Sequence, residues 1–379
     1  MKTHDRERVE SVSQVQTPAG DLAWKVTRHA AVKALLADPR LGRSHPRPEE
    51  AAWYTKDNLS GRPLGDSEHE SAEHAQWRRR LVSVFSMSAT ELLRSRVEAI
   101  INRLLDVLAQ ETPPIDFHRE FSDPMATLVV CELLQVPYDD RNDFRRWAED
   151  AADSKDIRRS SAGMARSLTY ARALIRGRRE EPREDVASQL IAGQGHIKAY
   201  EGKVTKLLAD MIGQGRETPA NVVDLGLMLL LTNPQQRAAL QSDPSLAHHA
   251  VEEILRFFPP SSATPDGLVR YAHVDIEFGG ITIRTGDMVL LDITGANRDP
   301  NVFREPDRFD IRREPNPHLT FGHGTFMCPA SSLPRMELQL VFGRLFQRFP
   351  TLRLAVPREQ LRFKNHLLTG GVVELPVDW

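Results

Sequence analysis

Apolar residues recur at intervals of three and four through the middle of the chain, the spacing of helices that turn one face to a core. Stretches such as LVSVFSMSATELLRSRVEAIINRLLDVLAQ and DPMATLVVCELLQV carry this period from about His74 to Gly213. Before them, Leu22 to Thr27 reads as a strand, and Ala30 to Ala37 as a helix that stops ahead of Asp38-Pro39. Between Pro259 and Asp292 the period falls to two. VDIEFGGITI and DMVLLDI, with Gly-Gly and Thr-Gly-Asp as turns, predict a small sheet there. A loop rich in Pro, Arg and Asp, Asn297 to His318, leads to a last helix over Leu333 to Phe346. The tail is expected to fold back as a hairpin around Gly370-Gly371. The sum is a mainly α fold with a small β part. No repeat or low-complexity stretch divides it, so the expectation is a short polar segment over residues 1–21 and a single domain over 22–379.

Composition narrows the function classes. With 40% hydrophobic and 27% charged residues, 379 residues can bury a large core under an ordinary solvated surface. Fifty Lys and Arg against 52 Asp and Glu leave a net charge of -2, which gives no basic field for nucleic acid. The opening MKTHDRERVE is too polar for a signal peptide, and no apolar run approaches the roughly 20 residues of a membrane span. A cytoplasmic protein is therefore expected. Two cysteines, Cys131 and Cys328, exclude a disulfide framework and argue against a thiolate zinc site.

The two cysteines have different surroundings. Cys131 sits in the apolar stretch LVVCELL and reads as a small core hydrophobe. Cys328 follows Phe321-Gly322-His323-Gly324-Thr325-Phe326-Met327 and enters the last predicted helix. Glycines permit a tight turn and a close approach of backbone to a flat cofactor. A helix N-terminus favours thiolate over thiol, so Cys328 is well placed to be an anion.

The run F-G-x-G before Cys328 resembles the haem-binding loop of the cytochrome P450 family, and further motifs follow in the family's order. Glu253-Ile-Leu-Arg256 resembles its E-x-x-R helix, where residues three apart share a face and can pair. Arg308, in Pro306-Asp307-Arg308-Phe309, resembles the arginine that completes this ion-pair network on the remaining carboxylate oxygen. His74 and Arg78 look like the family's H-x-x-x-R, and Arg270 like the arginine that serves the second haem propionate. Ala296-Asn297-Arg298-Asp299-Pro300 is similar to a recurring family segment. The resemblance runs from about Leu22 to Trp379. It implies a single-domain haem-thiolate catalytic fold binding haem b, with Phe321, Gly322 and Cys328 forming the proximal loop and Cys328 as the iron ligand.

The stretch Ile212 to Thr218 resembles the family's distal helix, with Glu217 and Thr218 as its acid and alcohol for proton relay. Pro219 removes the N–H that would bond the Gly215 carbonyl, so the helix is expected to open there. Gln214 stands where the family has alanine and is a possible substrate contact, while Phe326, Ala330 and Pro334 depart from the usual loop. Phe326 removes one propionate partner, leaving His74, Arg78 and Arg270; Ala330 and Pro334 delay or bend the following helix. No flavin, dinucleotide or iron–sulfur motif is present, which implies an external ferredoxin and ferredoxin reductase, with Arg78, Arg79, Arg80 and Arg335 as a basic docking patch.

The expected activity is activation of dioxygen to hydroxylate or otherwise oxidise a small natural product. Gln214, several arginines and Ser261-Ser262-Ala263-Thr264 favour a substrate with polar groups. Two alternatives remain open: oxidative C–C or C–N coupling or cyclisation of an aromatic or peptide-like substrate such as a diketopiperazine, and a non-catalytic haem sensor or scaffold. Product mass separates the first, and a proton relay argues against the second.

Overall fold

The computed structural model describes residues 12–56, 63–65, 67–153, 155–193, 198–259, 266–364 and 370–379, with the side chains of Ser71, Ala199 and Gln214 outside the described set. These residues fall into two compact units, one within Met1–Arg79 and Leu255–Pro329, the other within Arg80–Ile254 and Ala330–Trp379.

The first unit is built on a five-stranded sheet ordered Val12–Gln16, Leu22–Val26, Met288–Leu291, Leu268–Ala272 and Leu41–Gly42. Leu22–Val26 and Met288–Leu291 run parallel, and the other pairs are antiparallel. Every residue of the central strand Met288–Leu291 is buried, as a continuous apolar run predicts, whereas Val12–Gln16 is a polar edge. That edge strand lies in the stretch read as a short polar segment. Its signal is the turn Pro18-Ala19-Gly20-Asp21, where Gly20 has φ 91°, rather than its own hydrophobicity. Helix His29–Leu36 covers one face of the sheet, burying Val32, Leu35 and Leu36 with Val26, Val289 and Leu291. Its start is capped from far along the chain, because Asp299 Oδ2 accepts the His29 N–H at 2.9 Å. The predicted Gly-Gly turn joins Ile276–Phe278 to Ile281–Ile283, with Gly279 at φ 60° and Gly280 at φ 81°.

The second unit is helical. Helix Lys198–Thr232 packs against Asp123–Leu134, Arg141–Ala152 and Ile157–Glu180, and buries Val204, Leu208, Ile212, Val223, Leu227 and Leu230. Helix Ser332–Arg348 packs on Met87–Leu108, whose start is capped by Ser86 accepting the Ala89 N–H. A Cβ at Gly226 would meet the Phe342 ring at 2.5 Å, so only glycine lets Lys198–Thr232 receive that ring. The tail does fold back: Lys364 N–H bonds Gly371 O and Val373 N–H bonds Arg362 O, both at 2.8 Å. It also supplies Pro376–Asp378 to a three-stranded sheet with Ile115–Asp116 and Arg353–Leu354. The fold is mainly α with a small β part. Among the described residues no helix is long and apolar enough to cross a membrane.

Candidate active site

The Cys328 loop is closed by its own backbone. Gly322 N–H bonds Leu319 O at 2.7 Å, and Cys328 N–H bonds Phe321 O at 2.8 Å, with a single 3-10 turn over Gly324–Phe326 between them. Gly322 and Gly324 stand at φ 75° and 68°, and a Cβ on Gly324 would lie 2.7 Å from Ala37 Cα. The loop therefore needs glycine at 324 for both conformation and space. Cys328 is partly buried and, among the described residues, forms no disulfide. It does not enter the helix directly: a turn follows it and the helix begins at Ser332. Pro329 disfavours helical backbone at Cys328. Pro334 sits in the first turn, where its missing N–H leaves no helical bond unmade. Cys131 contrasts with it, since burial pushes that thiol up to about 11 and keeps it protonated.

Cationic side chains converge on the same loop. His74 Nε2 lies 3.0 Å from Thr325 O, and Arg78 Nη1 donates to Met327 O at 2.5 Å, so the two residues do share a helix face. Phe326 lies under this group: its ring is 4.4 Å from the His74 ring, 4.5 Å from the Arg43 guanidinium and 5.1 Å from that of Arg270. The residue read from sequence as a lost propionate partner is thus a platform on which cations rest. Arg43 was not legible as a site residue. It follows strand Leu41–Gly42, which pairs beside the Arg270 strand, and Glu70 fixes the turn by accepting the Arg43 and Ser44 N–H groups at 2.9 and 3.0 Å.

Arg270 tests whether these residues suit a haem. It is 7% exposed, donates Nη1–H to Val269 O at 2.7 Å, and has no carboxylate within ion-pair distance among the described residues. Burial first, then the charge of Arg43, push its protonation down to about 10. A buried guanidinium with most of its N–H groups unanswered calls for an anion of fixed geometry. His74 donates from Nε2 to Thr325 O and accepts from Arg43 at Nδ1, 3.2 Å away, as a neutral ring would. Burial and Arg43 hold its protonation below the usual imidazole range. A tightly turned cysteine beside an unanswered arginine fits a flat, iron-bearing dicarboxylate.

The E-x-x-R pair is buried, with Glu253 0% and Arg256 1% exposed. Arg256 donates to the main-chain oxygens of Asn297, Pro306 and Arg308 at 2.9, 2.7 and 3.3 Å, and its guanidinium lies against Phe257 and Phe303. The Arg308 guanidinium, expected on Glu253, instead points outward to Glu305 at 3.1 Å and Asp310 at 3.7 Å. Arg308 contributes its carbonyl. The loop has no regular ladder to answer its carbonyls, and a surface pair avoids burying a further charge. Asn297 ties the same loop down through Leu319 N–H at 2.7 Å and Thr320 Oγ1 at 2.9 Å.

In the second unit, Lys198–Thr232 continues as helix through Pro219, contrary to the expected opening. The buried residues on both sides of the proline hold the segment helical, although Pro219 gives Gly215 O no N–H. Glu217 is 8% exposed, with Oε1 3.4 Å from Arg216 Nη2, and Thr218 is partly buried beside it. Arg216 is buried and pairs with Asp123, leaving Nε without a partner. Glu217 faces a cavity of about 240 Å³ shared with Asp123, Arg216, Asn221 and His118. The side chain of Gln214 and the run Ser261 to Thr264 lie outside the described residues. The basic patch is partly engaged: Arg78 holds the loop, Arg80 lies over the Tyr200 ring, and Arg335 makes a bidentate pair with Glu252 at 2.7 and 3.0 Å.

The family model described as Cytochrome P450 matches residues 164–369. The chain is 42% identical over 362 residues to pentalenolactone synthase of Streptomyces exfoliatus, covering 95% of this chain and 91% of that protein. It is 34% identical over 376 residues to mycinamicin IV hydroxylase/epoxidase of Micromonospora griseorubida, covering 98% and 94%. The crystal structure of mycinamicin VIII C21 methyl hydroxylase from the same organism, bound to mycinamicin VIII, superposes with a TM-score of 0.87 at 30% identity, covering 100% of this chain and 97% of that one. With the cysteine loop and the mainly helical fold, these similarities establish an oxidoreductase whose chain belongs to the cytochrome P450 family.

Proposed function

We propose that the protein is a monooxygenase of natural-product tailoring, working with haem b held by Cys328. The observation that carries this reading is the tightly turned Cys328 loop beside the buried Arg270, which has no carboxylate within ion-pair distance among the described residues. Held by the Cys328 thiolate, haem would supply the chemistry of dioxygen activation. Phe321 and Gly322 shape the loop that presents Sγ; Arg270, with Arg43, would hold the haem carboxylates, while His74 and Arg78 brace the loop through the carbonyls of Thr325 and Met327. Glu217 is the acid and Thr218 the alcohol through which protons would pass toward the site. The overall reaction is R–H + O2 + two electrons + two protons giving R–OH + H2O. A ferredoxin and its reductase supply the electrons.

The substrate class is a small natural product bearing polar groups. The relatives named as pentalenolactone synthase, mycinamicin IV hydroxylase/epoxidase and mycinamicin VIII C21 methyl hydroxylase support a natural-product substrate. Spin-state screening of the haem-loaded protein with macrolide, terpenoid and peptide-like natural products identifies a ligand, and turnover under 18O2 then tests the reaction. A product heavier by one labelled oxygen is expected. A product lighter by two hydrogens, with no label, overturns oxygen insertion.

A further inference from the structure

The second unit holds an ionisable pair that the reading above leaves unused. His118 lies in a π-helical turn, His118–Ser122, with Nδ1 2.6 Å from Asp224 Oδ2. The other Asp224 oxygen accepts the Ser122 hydroxyl at 2.6 Å. Asp224 is 2% exposed, so this carboxylate is answered entirely by protein groups that fix the ring. With Nδ1–H given to Asp224, Nε2 is left as the acceptor. It lies 3.4 Å from Lys364 Nζ, and both residues line the cavity that Glu217 faces. Asp116 accepts the His118 main-chain N–H at 3.1 Å, and Arg119 pairs with Glu120.

The path between the two ends is polar. Glu217, Asn221 and Asp224 are spaced i, i+4 and i+7 on Lys198–Thr232, which puts them on one face of the helix. Seven residues span roughly 10 Å along the axis. Glu217, Asn221 and His118 all border the cavity, which has room for several waters to bridge that distance. The tail covers the middle of the stripe, for a Cβ on Gly371 would lie 2.2 Å from Asn221 Oδ1. A side chain there would fill the path.

We propose that His118, oriented by Asp224, is the proton-loading group of Glu217. A proton from solvent adds to Nε2, leaves it for a cavity water, and reaches the Glu217 carboxylate past Asn221; each donor is reprotonated from the solvent side. His118 is thus a positioning and relay residue, and the proposal rests on Glu217 serving as the proton donor.

The test uses the haem-loaded protein fed by a surrogate ferredoxin and reductase without substrate. Reduction of oxygen to two waters consumes four protons and four electrons, whereas release as hydrogen peroxide consumes two of each. His118→Gln is expected to lower the ratio of water to peroxide about 10-fold, below the roughly 10²–10⁴-fold of a direct acid–base group, and to raise the solvent deuterium effect. Glu217→Gln should act at least as strongly, and the double variant should add nothing. Asp224→Asn should match His118→Gln. As a readout independent of turnover, the His118 ring nitrogen resonances, followed by NMR in the reduced carbon monoxide complex, should be displaced in Glu217→Gln.

Wild-type partition in His118→Gln and Asp224→Asn, with a clear effect of Glu217→Gln, overturns the role of His118 and leaves Glu217 standing. No effect of Glu217→Gln removes the relay reading beneath it. A merely structural clamp predicts a lower melting temperature with unchanged partition and isotope effect, which also overturns the proposal. If His118→Gln fails to bind haem, the Asp224→Asn partition and the His118 resonances in Glu217→Gln decide.

Discussion

The Cys328 loop and the Glu217 stretch of Lys198–Thr232 both concentrate charge, but in opposite conditions. Around the loop, Arg270 is buried with no carboxylate within ion-pair distance among the described residues, and His74 and Arg78 are turned to loop carbonyls. Along the helix, Arg216 lies between Asp123 and Glu217, and Asp224 is answered by His118 and Ser122. An unbalanced buried cation calls for a guest anion, whereas a balanced set can hold water and protons without one. The first region suits a dicarboxylate cofactor, whereas the charges of the second are paired within the protein, apart from Arg216 Nε.

The largest effect should come from the scaffold of the first region. Arg256→Ala leaves three loop carbonyls without their donor and should cost about 3–5 kcal/mol, read as a fall in the denaturant midpoint. Gly324→Ala follows, because a non-glycine residue at φ 68° against Ala37 is strained and should cost about 1–3 kcal/mol of stability. Arg270→Leu sharpens the contrast most: haem affinity should fall about 10-fold, worth about 1.4 kcal/mol, while the haem-free protein keeps or gains stability. Equal loss of stability in both forms would show that Arg270 already has its partner.

His74 supplies a pH test. Its proton affinity falls on folding, chiefly through burial, so the unfolded chain binds the extra proton more readily. Its contribution is whole above roughly pH 6.5 and is lost as pH falls toward the folded value. In melts across that range, His74→Gln should lose stability less steeply on acidification than wild type. The smallest effect belongs to Arg308→Ala, whose pairs are exposed and should matter by less than about 1 kcal/mol. A loss as large as that of Arg256→Ala would restore Arg308 to the buried network.

Much of this was legible because local chemistry carried it. The glycines before Cys328 are required by backbone conformation, the i, i+4 spacing of His74 and Arg78 does put both on the loop, and Glu253 and Arg256 are buried as a network requires. A motif names a residue but not which of its atoms acts, which is how Arg308 was assigned by its guanidinium when its carbonyl is the contact. Pro219 was read locally, while packing on both sides keeps the helix continuous. Arg43 and the His118–Asp224 pair were beyond reach, since a strand pairing and a 106-residue separation in sequence bring them into place.

The central claim is that the Cys328 thiolate would hold the haem iron. The direct measurement is the absorption spectrum of the reduced, carbon monoxide-bound protein, wild type beside Cys328→Ser. Wild type should show the strongly red-shifted band of thiolate ligation, and Cys328→Ser should lose it while Cys131→Ser keeps it. A wild-type spectrum without that band, or one unchanged in Cys328→Ser, would contradict the account.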